Sequence, residues 1–181
     1  MGVAKAAVRR GARVTLYDEK LIETPEQIEQ AEELQGLGVE VVAGWHGRFD
    51  PPNFDMLVTS PGFKRSHPAL RDAVEAEKPV WSEVEFAYHI ARAPMVAVTG
   101  TNGKSTTTLL TWLLVRSCQP ARLCGNLSGS GYPELTLTEA ADAAGPEEWL
   151  VAEVSSFQLE WAHVFRPRVA AITNITPDHL D

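Results

Sequence analysis

The chain has little with which to cross-link itself, to bind polyanions or to enter a membrane. Cysteine occurs twice in 181 residues, at Cys118 and Cys124, so no disulfide framework is available, and their spacing fits neither a metal-ligand nor a redox motif. Both thiols are therefore expected to be buried and structural. Lysine and arginine number 16 against 24 aspartates and glutamates, for a formal net charge of -8. The cations are scattered and leave no basic face for a nucleic acid. The longest apolar tract, "LLTWLLV" at 109–115, is far below the roughly 20 residues that span a bilayer, and it reads as a buried helix. The opening "MGVAKAAVRRG" is broken by Lys5, Arg9 and Arg10 and has no signal-like apolar core. A cytoplasmic protein with no membrane insertion is expected, and internal repeats and low-complexity tracts are absent.

What is present is an alternation of helical and strand-like segments, the pattern of parallel sheets covered by helices. "GVAKAAVRRG" reads as a helix, "RVTLYD" as a strand ending at Asp18, and "TPEQIEQAEELQGLG" as a helix that starts with Thr24 and Pro25. "VEVVAG" and "DMLVTS" are further strands, the latter running into Ser60-Pro61-Gly62, a tight turn whose backbone N–H groups face a ligand edge. Two helices follow, then a hinge-like "ARAP" at 91–94, and then the strands "MVAVTG", "ARLCGN", "EWLVAEVS" and "RVAAITNI". Two α/β domains are expected, residues 1–93 and 94–181. In a nucleotide-binding βαβ unit a strand precedes the first helix, whereas this chain enters a helix almost at residue 1. The first domain is accordingly expected to be Rossmann-like but without its first strand.

The stretch "VAVTGTNGKSTTT" at 96–108 is the most informative in the chain. It resembles a phosphate loop, yet the pattern G-x-x-x-x-G-K-[ST] requires a glycine at 98, where Val98 stands. The physical needs of such a loop are still met. Gly100 and Gly103 permit backbone conformations closed to other residues, a helix N-terminus follows, Lys104 can reach the phosphates, and Ser105 or Thr106 can ligate Mg²⁺. Thr101 and Asn102 complete the expected ATP loop. Glu153, after the apolar "WLVA", is expected to project from a strand end where a carboxylate can help hold the ion. Asn126 offers an amide to a carboxylate or a phosphate. Ser155, Ser156 and Gln158 are either ligand contacts or, for the serines, caps of the following helix. A lone histidine such as His179 is by itself more often a surface or satisfied core group.

The loop "TGTNGKST" resembles that of the Mur ligase family, whose ATP loop is shorter than the common form. Folylpolyglutamate synthetases share a similar loop. "CGNLSG" at 124–129, "EVSSFQLE" at 153–160, "NITPDHLD" at 174–181 and "TSPGF" at 59–63 narrow the resemblance to the D-glutamate-adding branch. That resemblance covers essentially the whole chain. It implies a P-loop-type central ATP domain and ATP and Mg²⁺ as cofactors, with Lys104, Glu153 and His179 catalytic and Ser105, Glu153 and His179 at the metal. It also implies substrate contacts from Asp18, Ser60, Pro61, Gly62, Asn126, Ser155, Gln158 and His179. Glu19 and Lys20 stand where the family often has a small polar residue and an arginine, a departure at the uridine end.

The implied activity is ligation in peptidoglycan precursor synthesis, and through it a part in cell shape and division. The carboxylate of UDP-N-acetylmuramoyl-L-alanine takes the γ-phosphoryl group of ATP, and D-glutamate captures the acyl phosphate. The family's carbamylated lysine and D-glutamate platform are not in the sequence, so the chain is expected to be a monomeric piece, inactive alone. Another superfamily member remains an alternative, although the alanine-adding branch typically has histidine where Asn102 stands. A generic phosphate-loop kinase and a non-catalytic nucleotide-binding module are also left open.

Overall fold

The computed structural model describes residues 1–48, 53–127, 131–132 and 135–177. It divides into two compact units, Met1–Asp55 with Arg65–Pro79, and Met56–Lys64 with Val80–Asp181.

The first unit contains α1 (Gly2–Arg9), β1 (Thr15–Asp18), α2 (Pro25–Gly36), β2 (Glu40–Ala43) and α3 (Pro68–Glu75). Helix α2 begins as its sequence predicts: Thr24 accepts from the Gln27 N–H, the Gln27 side chain returns the bond to the Thr24 backbone, and Pro25 occupies the first turn. β1 and β2 pair in parallel from Thr15 opposite Glu40 to Asp18 opposite Ala43. Ala4, Leu34 and Val39 form the small core beneath them, with Val8, Val14, Leu16 and Val41 packed around it. Asp18 ends β1 at the carboxyl edge, the edge where open α/β sheets take ligands.

The second unit contains β3 (Leu57–Thr59), β4 (Val80–Ser82), α4 (Glu83–Ile90), β5 (Met95–Thr99), α5 (Lys104–Arg116), β6 (Ala121–Gly125), α6 (Leu137–Ala143), β7 (Trp149–Glu153), α7 (Ser156–Leu159) and β8 (Val169–Ile172). β3 and β4 form a parallel pair. The main sheet runs β6-β7-β5-β8, with every neighbouring pair parallel. Its central strands read as near-continuous apolar runs, "MVAV" and "LVA", because both faces are covered. On one side α4 and α6 approach through small residues, Ala87 against Ala140, Ala141 and Ala144, and Val84, Leu137 and Leu150 fill the space beside them. Position 93/94, expected to separate two domains, lies inside this unit, since α4 shares its core with α6 and β7.

Two expectations need correction. α5 is not a buried helix: among its residues only Thr108 is buried, while Leu110, Leu113 and Leu114 are 57%, 44% and 71% exposed. Its apolar run covers more of the helix circumference than the sheet can bury. Cys118 is exposed and only Cys124 is buried, because Cys118 falls in the turn past the end of α5, whereas Cys124 points inward from β6.

Candidate functional site

The expected nucleotide residues converge at the carboxyl edge of the four-stranded sheet. β5 delivers the loop 100–103, β6 ends at Gly125 before Asn126, and β7 ends at Glu153. Gly100 and Gly103 have φ of 135° and 78°, the left-handed side that the loop was expected to need. Gly103 caps α5 without a side chain, so the N–H groups of Lys104, Ser105 and Thr106 in the first turn have no intrahelical carbonyl to meet. Free N–H groups at a helix start form an anion-binding site. Ser105 and Thr106 are exposed beside them.

Lys104 turns back over its own loop, and Nζ donates to the carbonyls of Gly100 at 2.9 Å and Thr101 at 3.0 Å. An ammonium has three donors, so one stays available while the other two fix its position.

Thr101 and Asn102 are held from outside the loop, by the segment that follows β8. The Thr101 N–H donates to the Asn174 carbonyl and the Asn102 N–H to Asn174 Oδ1, each at 3.0 Å. The Asn102 carbonyl accepts from Thr173 Oγ1 at 2.6 Å and from Asn174 Nδ2 at 2.9 Å. Thr101 Oγ1 bonds to the Thr176 carbonyl and accepts from the Thr176 N–H. The backbone N–H groups of these two loop residues are thus committed to the protein, unlike those of the first turn of α5. Sequence reasoning assigned no role to Thr173, Asn174 or Thr176. The signals for them are a polar Thr-Asn pair directly after the apolar strand "VAAI" and, for Asn174 and Thr176, their place in "NITPDHLD".

Glu153 is 2% exposed, and its Oε2 has no hydrogen-bond partner among the described residues. Asn126 Nδ2 approaches Oε1 at 3.5 Å, the outer limit of a hydrogen bond. A buried carboxylate oxygen without a partner is expensive unless a cation meets it. A hard oxygen donor of this kind fits Mg²⁺. Among the described residues, no three His, Cys, Asp or Glu side chains cluster as a metal site. His179 lies outside the described residues.

Ser155 and Gln158 cap α7 together: the Gln158 N–H donates to Ser155 Oγ at 3.3 Å, and Gln158 Oε1 accepts from the Ser155 N–H at 2.9 Å. Ser156 opens the helix and is exposed. Asp18 is exposed and accepts from the Lys20 N–H. Ser60, Pro61 and Gly62 are exposed after β3. Asp18 belongs to the first unit and the 60–62 turn to the second.

A further carboxylate escaped the sequence reading. Glu85, fully buried at the start of α4, accepts the backbone N–H groups of His163, Val164 and Phe165, and His89 Nε2 lies 3.1 Å from its Oε1. It anchors the chain that leaves α7.

Residues 98–181 match the Mur ligase middle domain. Over 191 aligned residues the chain is 43% identical to the UDP-N-acetylmuramoylalanine–D-glutamate ligase of Trichlorobacter lovleyi, with 100% of this chain and 41% of that protein covered. It is 40% identical to the ligase of the same name from Pelotomaculum thermopropionicum, with 100% and 38% covered. The chain therefore spans roughly two fifths of the length of the curated relatives it matches. Among solved structures, UDP-N-acetylmuramate:L-alanyl-gamma-D-glutamyl-meso-diaminopimelate ligase from Neisseria meningitides superposes with a TM-score of 0.56 at 21% identity, over 99% of this chain and 58% of that one. That likeness is one of fold.

Proposed function

The chain belongs to the Mur ligase family, and from that premise we propose that it is the substrate- and ATP-binding part of a ligase joining D-glutamate to UDP-N-acetylmuramoyl-L-alanine through an acyl phosphate. The observation that carries the reading is the short glycine loop between β5 and α5, opening onto helix N–H groups without an intrahelical acceptor, with the buried Glu153 carboxylate, whose Oε2 has no partner among the described residues, at the neighbouring strand end.

In this reading the first-turn N–H groups and the third donor of Lys104 bind the terminal phosphates of ATP. Ser105 and Glu153 would hold Mg²⁺, with His179 at a second ion, and such an ion would supply charge neutralisation for phosphoryl transfer. Lys104 shields two anions, the substrate carboxylate and the γ-phosphate, that would otherwise repel each other. Asn126, Gln158 and Ser155 orient the substrate near its reacting carboxylate, Gln158 through the amide nitrogen that its cap leaves free. Asp18 and the turn Ser60-Pro61-Gly62 take the UDP end, with the functional division between substrate and ATP domains at 93/94. The protein acts in the cytoplasm, as a monomer, in peptidoglycan precursor synthesis.

The roughly two-fifths coverage of its relatives favours a second reading, in which these 181 residues bind nucleotide without joining the amide bond. Titration calorimetry with ATP, and separately with UDP-N-acetylmuramoyl-L-alanine, tests the site. Lys104→Ala should weaken ATP by about ten- to a hundredfold, the scale of one charge-assisted phosphate contact, and leave the UDP-sugar affinity unchanged. Equal loss of both ligands would reject the assignment of Lys104 to the nucleotide. Product formation from the two substrates and ATP separates the readings.

A further inference from the structure

The loop that replaces the longer phosphate loop does not hold its own shape; another strand's extension holds it. β8 pairs with β5 from Val169 opposite Val96 to Ile172 opposite Thr99, and the Thr173 N–H continues the ladder to the Thr99 carbonyl at 2.9 Å. Beyond that point β5 turns away as the loop, and the strand-like pairing is completed by a side chain. Oδ1 and Nδ2 of Asn174 meet the N–H and the C=O of Asn102, as a neighbouring strand's peptide would. We propose that Asn174 is a positioning residue of the nucleotide loop, its carboxamide clamping the Asn102 peptide so that the first turn of α5 faces the phosphates before any ligand arrives. The inference rests on the ATP reading of this loop.

Gly100 supplies an independent observation. A Cβ there would overlap Thr173 Oγ1 and lie 2.9 Å from the Asn174 carbonyl oxygen and 3.0 Å from the Asn174 nitrogen. The glycine is needed because the 173–174 segment approaches so closely, so its placement serves the clamp as well as the turn. Gly103, by contrast, has open space where its Cβ would be. With Thr101 and Asn102 bound from one side and Lys104 bound to Gly100 and Thr101 from the other, the loop is fixed in the unliganded chain. A fixed loop loses little freedom when it binds.

Asn174 is exposed and belongs to neither core cluster, so Asn174→Ala should fold. Thr173→Val, which removes one of the two donors to the Asn102 carbonyl, is the second variant. The measurements are amide hydrogen exchange at Asn102, melting temperature, and affinity for ATP and for inorganic tripolyphosphate, each beside Lys104→Ala. Asn174→Ala should speed Asn102 exchange and weaken both ligands by about tenfold at an unchanged melting temperature, with Thr173→Val shifting both in the same direction by less. Equal losses for the two ligands place the effect on the phosphate chain. Unchanged affinity in Asn174→Ala, while Lys104→Ala still binds weakly, would overturn the clamp and leave the ATP reading standing. ATP affinity indifferent to Lys104→Ala would overturn the ATP reading and the clamp's role with it.

Discussion

Glu85 shows how one buried side chain can hold a backbone segment almost eighty residues away in sequence. Burial pushes its carboxyl up, but the backbone N–H groups of His163, Val164 and Phe165 together with His89 outweigh that and hold it below its ordinary value of 4.5. Glu85→Ala takes the shared acceptor from three backbone N–H groups and should destabilise the second unit by about 3–5 kcal/mol, whereas Glu85→Gln, which keeps an acceptor, should cost about 1–3 kcal/mol. The sign with pH follows from the lowered value. The stabilisation is complete above the unfolded carboxyl's range and is lost as pH falls through the folded value. Melting curves from about pH 7 to pH 3 should therefore drop more steeply in the native chain than in Glu85→Gln. Parallel curves would show that the N–H groups do not depend on the charge. Glu85 could not be read from the sequence, because a glutamate in the first turn of a helix is ordinary there. Only the fold brings residues 163–165 to it.

At the scale of the element, the sequence was most legible where local chemistry decides the outcome. Thr24, Pro25 and Gln27 set the start of α2, the apolar runs set β5 and β7, and Gly100 to Ser105 set the loop between β5 and α5. α6 went unread even though Thr136 and Glu139 form a complete capping box before it. Its seven residues, three of them alanine, carry little periodicity, and burial against α4 decides the helix. The serine caps were foreseen as one of two options, while the partnership of Ser155 with Gln158 needed the geometry. Glycines at strand ends separate backbone freedom from space. Gly125 has φ of 96°, and a Cβ there would overlap the Glu153 carbonyl oxygen on the neighbouring strand. Gly103 has φ of 78° and nothing within 4 Å. Gly125→Ala should therefore destabilise by about 2–4 kcal/mol, through strain plus displacement of β7 from β6. Gly103→Ala should cost only the left-handed strain, about 1–2 kcal/mol. Chemical denaturation of both variants checks the order, and equal losses would show that the β6 end yields freely.

For the whole molecule, the separation of the two cores makes a prediction that the two thiols can read. Among the described residues the first unit buries Ala4, Ala6, Leu34, Val39, Ala69, Leu70 and Ala73, fewer and smaller side chains than the cluster between α4, α6 and the main sheet. Less apolar area leaves less to offset chain entropy, so the first unit should open at lower free energy than the second. Cys124 is fully buried in the second unit, and burial pushes its thiol well above the ordinary range, with the Glu83 charge adding to the effect. It can react only when that unit opens. Cys118 is exposed and should react at once. Truncating Leu34, 1% exposed, to alanine should cost the first unit about 2–5 kcal/mol. Under native conditions the Leu34→Ala chain should show faster amide exchange in α1, β1 and α2. Its Cys118 should label in the first fast phase, and its Cys124 should label as slowly as in the unaltered chain. Acceleration of Cys124 labelling in step with exchange in α2 would mean that the two units open together.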